Sequence, residues 1–129
     1  MIILDTHIWV WWAAESGDLS EEHQDVVESQ RNDGIGVSAI SCWEISKLVE
    51  YDRLELTLDL SDWMRAALDI PGVQLIELSP PIAIESTQLP GDFHSDPADQ
   101  IIVATARMHD AELVTVDQKI QDYAHVPVL

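Results

Sequence analysis

Four short apolar runs recur along the chain, and segments with the apolar spacing of helices separate them. The runs span residues 1–4, 35–39, 73–78 and 113–116, which is the usual length of a buried strand. Strands that alternate with helices indicate a mostly parallel sheet, because each crossover helix must cover a face of the sheet. The pattern predicts an α/β fold with four strands, and residues 126–129 are a candidate fifth.

The intervening segments carry start signals for helices. Ser41 with Glu44 has the spacing of a capping box, and Asp96 followed by Pro97 fits an N-cap and first helical position. The segment from Pro97 onward is apolar on most sides, so we expect a central, buried helix there. Helices are predicted over residues 6–14, 20–32, 41–50, 60–68 and 97–109, with a short one from residue 80.

The chain length, the apolar runs and the cysteine count indicate a single domain in a reducing compartment. A chain of 129 residues can bury a core without disulfides. No apolar run is long enough for a membrane span, and Asp5 interrupts the N-terminal apolar stretch, which argues against a signal peptide. Cys42 is the only cysteine, so an internal disulfide is excluded, and we expect Cys42 to be a small core residue. We expect a cytoplasmic protein with a single domain over residues 1–129.

The charge is strongly one-sided. There are 24 acids and 6 bases, a net charge of −18, so the average surface should repel nucleic acid. Most of these acids are expected to form a solvated surface, and adaptation to high salt is an alternative explanation for their number. A polyanionic substrate would need bound cations or a local cluster drawn from Lys47, Arg53, Arg65 and Arg107.

Four acids nevertheless stand at special places. Asp5 and Asp117 end the first and last apolar runs, and Glu44 and Asp99 fall in the predicted first turns of helices. In a parallel sheet, the C-terminal ends of strands and the N-termini of the covering helices share one edge, which is where such sheets bind ligands. We therefore expect one cleft to hold all four. Singly, Glu44 and Asp99 have structural explanations as helix-start residues, whereas Asp5 at a buried strand end needs a partner.

Clustered carboxylates call for a cation. They raise one another's pKa unless a positive charge neutralises them, and their hard oxygen ligands suit Mg²⁺ or Mn²⁺. Such an ion lowers the pKa of bound water and stabilises charge on an attacked phosphate. The leading hypothesis is a metal-dependent phosphoryl-transfer enzyme.

Two alternatives remain open. A phosphatase or receiver-like phosphotransfer domain would also have acids at strand ends, but would normally have another aspartate adjoining or two residues after Asp5, where Leu4 and His7 stand. A non-catalytic module could use the same acidic cleft to bind a basic partner peptide. Calorimetry with Mn²⁺ separates the enzyme from the binding module.

Four motifs occur in an order that covers nearly the whole chain: IILDTH, SAISCWEI, HSDPADQIIVATA and LVTVD. Together they resemble the motifs of PIN-domain ribonucleases, especially VapC-type toxins. The resemblance implies a three-layer α/β/α sandwich with a mostly parallel sheet of four or five strands. It also implies Mg²⁺-dependent endonucleolytic cleavage of RNA that leaves a 5′-phosphate and a 3′-hydroxyl, a homodimer, and silencing by a VapB-type antitoxin that offers a basic residue to the acidic pocket.

The resemblance assigns roles to individual residues. It implies that the metal-site acids are Asp5, Glu44, Asp99 and Asp117. Asp96 would be a supporting cap or outer acid, and Thr6 and Thr115 would be hydroxyls that position water or an acid. The chain departs from the family at two positions: Gln100 stands where arginine is frequent, and His7 stands where asparagine is frequent.

Other side chains are candidates for contacts. Lys47, one turn after Glu44, and His94, two residues before Asp96, could contact RNA. For Trp9, Trp11 and Trp12 we favour core packing plus a contact with a second copy or an antitoxin over stacking on bases.

Overall fold

The computed structural model describes residues 1–129 and has four strands and seven helices. The strands are β1 (Ile2–Leu4), β2 (Ile35–Ser38), β3 (Val73–Ile76) and β4 (Glu112–Val114). The helices are α1 (Thr6–Ala13), α2 (Glu21–Ser29), α3 (Ala39–Glu50), α4 (Leu60–Leu68), α5 (Pro80–Ser86), α6 (Pro97–Met108) and α7 (Gln118–Gln121).

All strands are parallel, in the order β3-β2-β1-β4. Strand β1 lies in the middle, where Ile2 is opposite Ile35 of β2 and Glu112 of β4. All residues of β1 and β2 are buried, as expected for strands covered on both faces. The predicted α/β fold is confirmed.

The core has two parts. The larger cluster packs residues of β1 and β2 against α1, α3 and α4, and includes the fully buried Trp9 and Ile45. The smaller one packs Ile3 against α6, where Ile102 and Val103 are fully buried. Helix α6 is therefore the central, buried helix that its sequence predicts. Trp12 belongs to the core too.

Several predicted boundaries differ from the structure. Residues 126–129 do not form a fifth strand, since only a single parallel bridge joins Leu113 and Val128. Strand β3 ends at Ile76 and β4 at Val114, two residues earlier than predicted, while α2 ends at Ser29. Helix α7 was not predicted; it is a single turn, too short to show a helical apolar period.

The predicted capping box at Ser41 is wrong. Ser38, the last residue of β2, has an extended backbone, and its side chain accepts a hydrogen bond from the N–H of Ile40 at 3.2 Å. Because this strand residue is itself the N-cap, α3 begins at Ala39, and Glu44 lies in the second turn rather than the first. The Ser41 hydroxyl is buried and makes a tertiary contact instead.

Two further features bear on the expectations above. Cys42 is half-buried against the larger core cluster, and burial raises its pKa. None of the helices combines the length and the apolar character that crossing a membrane requires.

Candidate active site

A cavity of about 320 Å³ opens where β1 and β4 end and α3 and α6 pass. It contains all four acids singled out in the sequence, together with the supporting Asp96. Its lining residues are Asp5, Thr6, His7, Glu44, Asp96, Asp99, Val116 and Asp117. The chain thus brings together acids that are far apart in sequence, at the edge of the sheet that its topology predicts.

Asp5 is the most enclosed of the acids, with 8% of its surface exposed. It caps α1, and its Oδ1 accepts a hydrogen bond from the N–H of Thr6 at 2.8 Å. Its Oδ2 accepts one from Oγ1 of Thr115 at 2.7 Å. Burial raises the pKa of Asp5, and these hydrogen bonds oppose the rise only in part. A buried carboxylate so placed gains from a nearby cation.

Thr115 connects two of the acids. While its hydroxyl donates to Asp5, the same oxygen accepts the backbone N–H of Asp117 at 3.0 Å. Asp117 in turn caps α7, accepting the N–H of Lys119 at 2.8 Å. One buried hydroxyl therefore sets the distance between the end of β1 and the start of α7.

A second buried hydroxyl, that of Thr6, holds the carboxylate of Glu44. The Thr6 hydroxyl donates to Oε1 of Glu44 at 2.5 Å and lies 2.8 Å from the hydroxyl of Ser41. Since a hydroxyl has one proton, Ser41 donates to Thr6 when Thr6 donates to Glu44. Burial raises the pKa of Glu44, with Asp5 and Asp96 adding to the rise. Ser41 was missed as a site residue because its spacing from Glu44 resembled a capping box.

Asp96 and Asp99 share the first turn of α6. The side chain of Asp96 accepts the N–H of Asp99 at 3.0 Å, so Asp96 is the helix cap that its sequence predicts. The pKa of Asp99 is raised to about 7, first by burial and then by the other acids: Asp5, Asp96, Asp117 and Glu44. The four acids thus share one electrostatic environment.

The two histidines of the site differ. Nε2 of His94 lies 3.0 Å from Oδ2 of Asp99, but without hydrogen-bond geometry. Gln100, which replaces the frequent arginine, donates from its side-chain amide to the carbonyl of His94 at 3.0 Å and so holds this loop. His7 lines the cavity, and its ring lies 5.8 Å from that of Trp11. It opposes, in small part, the rise that burial causes in the pKa of Asp5 and of Glu44.

The predicted cluster of basic residues does not assemble. Arg65 pairs with Asp62, and Arg107 pairs with Glu85. Only Lys47 and Arg53 line a pocket that includes Glu44.

The ammonium group of Lys47 is already paired with a carboxylate. It pairs with Glu50 at 2.9 Å and lies 5.9 Å and 5.5 Å from the rings of Trp43 and Tyr51. A phosphate in the cavity would therefore have acids around it and little positive charge from the protein.

The donor set fits a small divalent cation. Four carboxylates offer hard oxygen ligands, and the pKa of Asp99 is raised first by burial and then by the neighbouring acids, whose repulsion a cation would relieve. No three of the side chains converge on a single point as a ready set of ligands. Such an arrangement suits Mg²⁺, which keeps several water ligands and takes few from protein.

Comparison with known proteins agrees with the fold. The family model of the PIN domain matches residues 2–126. The chain is 33% identical over 124 residues to Ribonuclease VapC22 of Mycobacterium tuberculosis, covering 96% of this chain and 92% of that protein.

Solved structures with the same fold include VapBC2 from Rickettsia felis, bound to a DNA fragment from the promoter. It has a TM-score of 0.72 at 18% identity and matches 100% of this chain and 98% of that one. FitAcB from Neisseria gonorrhoeae has a TM-score of 0.70 at 22% identity and matches 100% of this chain and 96% of that one. The predicted resemblance is confirmed: this chain belongs to the PIN-domain family and is a relative of the VapC-type proteins.

Proposed function

We propose that this protein is a divalent-metal-dependent endoribonuclease of the VapC type, the toxin of a toxin–antitoxin pair. The observation that carries the proposal is the cluster of Asp5, Glu44, Asp99 and Asp117 around one cavity. It occurs in a chain 33% identical to a protein named as a ribonuclease. A phosphodiester is the substrate class that such a cluster serves once a cation is present.

The four acids would hold Mg²⁺ or Mn²⁺. When bound, the ion supplies a lowered pKa to coordinated water and positive charge beside the phosphate. The protein fixes its own oxygens: Thr115 orients Asp5, Thr6 orients Glu44, and Asp96 orients the helical turn that carries Asp99. These contacts keep the carboxylates in place without further ordering at the moment of reaction.

The metal requirement and the products of cleavage test the proposal. Calorimetry with Mn²⁺ should show a specific binding event, and a chelator should abolish cleavage of single-stranded RNA, with activity restored by Mg²⁺. Products should carry a 5′-phosphate and a 3′-hydroxyl, because water rather than the ribose 2′-hydroxyl attacks. Cleavage that survives the chelator would contradict the proposal, and binding of a basic peptide without metal binding would favour the non-catalytic module.

Thr115→Val should reduce RNA cleavage by about 10- to 100-fold, the usual effect of removing a group that orients a metal ligand. Valine keeps the shape but leaves Oδ2 of Asp5 and the N–H of Asp117 without their partner. We therefore also expect a loss of about 1–3 kcal/mol in the free energy of unfolding. Cleavage rates and denaturant midpoints measure the two effects.

Two variants serve as controls for this prediction. Thr115→Ser retains the hydroxyl and should retain most activity. Thr87→Val removes an exposed threonine hydroxyl that donates to the carbonyl of Ile84, and it should leave cleavage unchanged. Equal activity of the valine and serine variants at position 115 would contradict the role of the hydroxyl.

The proposed partner is a VapB-type antitoxin whose bound segment is apolar and basic. A groove of about 220 Å³ runs between α1 and the segment before α4, and its apolar wall includes Trp11, Leu54, Leu56 and Trp63. Trp11 packs against His7, which lines the acid cavity, so groove and cavity are adjacent. An apolar side chain fits the groove, and a basic one fits the acids beyond it. A neighbouring gene with a DNA-binding N-terminus would support this partner.

A homodimer is also proposed. Leu75, Leu78 and Ile84 are 49%, 45% and 57% exposed, and they belong to β3, α5 and the connection between them. Because β3 is an edge strand, no further strand covers its outer side, and we take these exposed apolar side chains as the candidate surface for a second copy. Sedimentation analysis of Leu78→Asp and Ile84→Asp variants tests whether this surface joins two copies.

A further inference from the structure

A second cavity, larger than the acid cavity, lies beside it and has no role in the function proposed above. Its volume is about 510 Å³, within the range of about 300–1,000 Å³ that is usual for small-ligand pockets. It is formed by the loop before α6 and by α7 with the residues that follow it. The side chains that matter here are Asp92, Phe93, His94, Lys119, Tyr123 and His125.

Aromatic rings form a continuous wall of this cavity. The ring centroids of Phe93 and His94 are 4.5 Å apart, those of Phe93 and Tyr123 are 4.8 Å apart, and those of Tyr123 and His125 are 5.4 Å apart. The wall is anchored, because Tyr123 belongs to the core and its hydroxyl donates to the carbonyl of Pro90 at 2.5 Å. His125 is exposed at the outer end. The rings are inclined to one another by 45°, 57° and 63°, so a flat ligand would stack on one ring at a time.

The cavity is joined to the acid cluster on two sides. His94 lines it while its Nε2 lies 3.0 Å from Asp99. Lys119 also lines it, and the backbone N–H of Lys119 donates to Asp117. A group bound here would therefore be next to whatever occupies the acid cavity.

The charges that line the cavity favour an uncharged group inside it and a phosphate at the rim of the cavity. Of the six basic side chains, four are in ion pairs, whereas Lys119 has no carboxylate partner. Inside the cavity, Asp92 and Asp122 offset that charge, so a phosphate is not favoured there. An aromatic group with polar edges suits this lining, and Lys119 can reach a phosphate attached to it.

We propose that this cavity is a base-binding subsite. One nucleobase adjoining the cleaved phosphate of single-stranded RNA enters it and stacks on the aromatic wall, while Lys119 contacts the neighbouring phosphate. The inference rests on the proposed ribonuclease function and deepens it, because stacking requires an unpaired base. The enzyme thereby acts on loops or ends of RNA rather than on duplexes.

The test combines a protein change with a substrate change. The protein variant is Phe93→Leu/His125→Ala, which retains apolar volume at the partly buried position and removes two ring faces. The substrate is a labelled single-stranded oligoribonucleotide whose cleaved bond is first mapped with the unaltered protein. Two further versions then lack the base on the 5′ or on the 3′ side of that bond.

One abasic version should raise KM for the unaltered protein by about 5- to 150-fold, the range for the loss of one stacked base. The variant should show a similar rise on intact RNA, and the two changes together should produce no further rise. A matched control is His109→Ala, an exposed histidine outside the cavity, which should leave KM unchanged. Lys119→Gln should weaken the binding of intact and abasic RNA alike.

Two results would overturn the subsite. One is that the rise in KM caused by the protein variant and the rise caused by the missing base multiply when both changes are made. The other is that the variant loses affinity for a hexa-arginine peptide and keeps its affinity for RNA. If RNA is not cleaved at all, the subsite can still be tested by binding. Fluorescence anisotropy then compares the affinity of the unaltered protein and of the variant for intact RNA and for RNA that lacks all its bases. Weaker binding of the variant to intact RNA only would then support the subsite even though the ribonuclease proposal had failed.

Discussion

RNA cleavage should fall at least about 100-fold when Asp5 is replaced by asparagine, while the protein stays folded. Removing a residue that merely orients a metal ligand costs about 10- to 100-fold, so loss of a proposed ligand should cost at least as much. The fold should survive because asparagine is as good an N-cap as aspartate. Its carbonyl can still accept the Thr6 N–H, and its amide NH2, in the place of Oδ2, can donate to the Thr115 hydroxyl oxygen. Single-turnover cleavage and circular dichroism measure the two outcomes.

Asp59→Asn is a matched control for this variant. Asp59 caps α4 as Asp5 caps α1, but it is exposed and does not line the cavity. The control should cleave RNA at the normal rate. Full activity of Asp5→Asn in the presence of Mg²⁺ would rule out the proposed metal site, since Asp5 is its most enclosed carboxylate.

Asp99→Asn should stabilise the metal-free protein while reducing its activity. The pKa of Asp99 is raised to about 7 in the folded chain from the ordinary aspartate value of 3.8, and its side chain is 16% exposed. After allowance for screening by solvent, we expect a gain on the order of 2 kcal/mol above neutral pH, or roughly 5–10 °C in Tm. The mechanism is removal of a carboxylate that the folded state buries and holds among like charges.

The pH dependence of this gain follows from the direction of the shift. Because the pKa is raised on folding, the folded chain binds more protons than the unfolded chain between about pH 4 and pH 7. Ionised Asp99 therefore destabilises the fold increasingly as pH rises through that interval. The stability difference between Asp99→Asn and the unaltered protein should be near zero below pH 4 and greatest above pH 7. Urea unfolding at a series of pH values measures it.

A matched variant and a metal titration complete this test. Asp62 occupies the same third position of α4, also behind an aspartate cap, but it is exposed. Asp62→Asn should change the stability far less. Adding Mg²⁺ should stabilise the unaltered protein, since a ligand that binds only the folded state adds to its free energy of unfolding. An unchanged Tm for Asp99→Asn at pH 8 would contradict the shared environment of the acids.

The sequence predicts the strand-end acids well, and physical reasons explain why. Asp5 and Asp117 each follow an apolar run, and a parallel sheet brings such ends to one edge. Asp99 was equally predictable, because Asp96 and Pro97 specify the start of α6. These positions depend only on local patterns and topology.

Glu44 was assigned to the cleft although its local structure was mistaken. Its helix begins at Ala39, yet the residue still faces the cavity because Thr6 and Ser41 hold it there. The roles of Ser41 and Gln100 could not be predicted, since each depends on a contact with another segment. The contact of His94 with Asp99 likewise depends on the path of a loop. Contacts of this kind between segments leave no periodic signal in a sequence.

The net charge of the chain governs how quickly ligands arrive at the cleft. Four of the six bases are paired with neighbouring acids, which leaves little local positive charge, and the field at a distance follows from the net charge of −18. Such a field slows the approach of a polyanion and accelerates that of a polycation, and added salt weakens both effects. RNA then reaches the cleft faster as ionic strength rises, and a basic partner reaches it fastest in dilute salt. If RNA and a basic partner compete for the cleft, the charge of this protein favours the faster arrival of the basic partner.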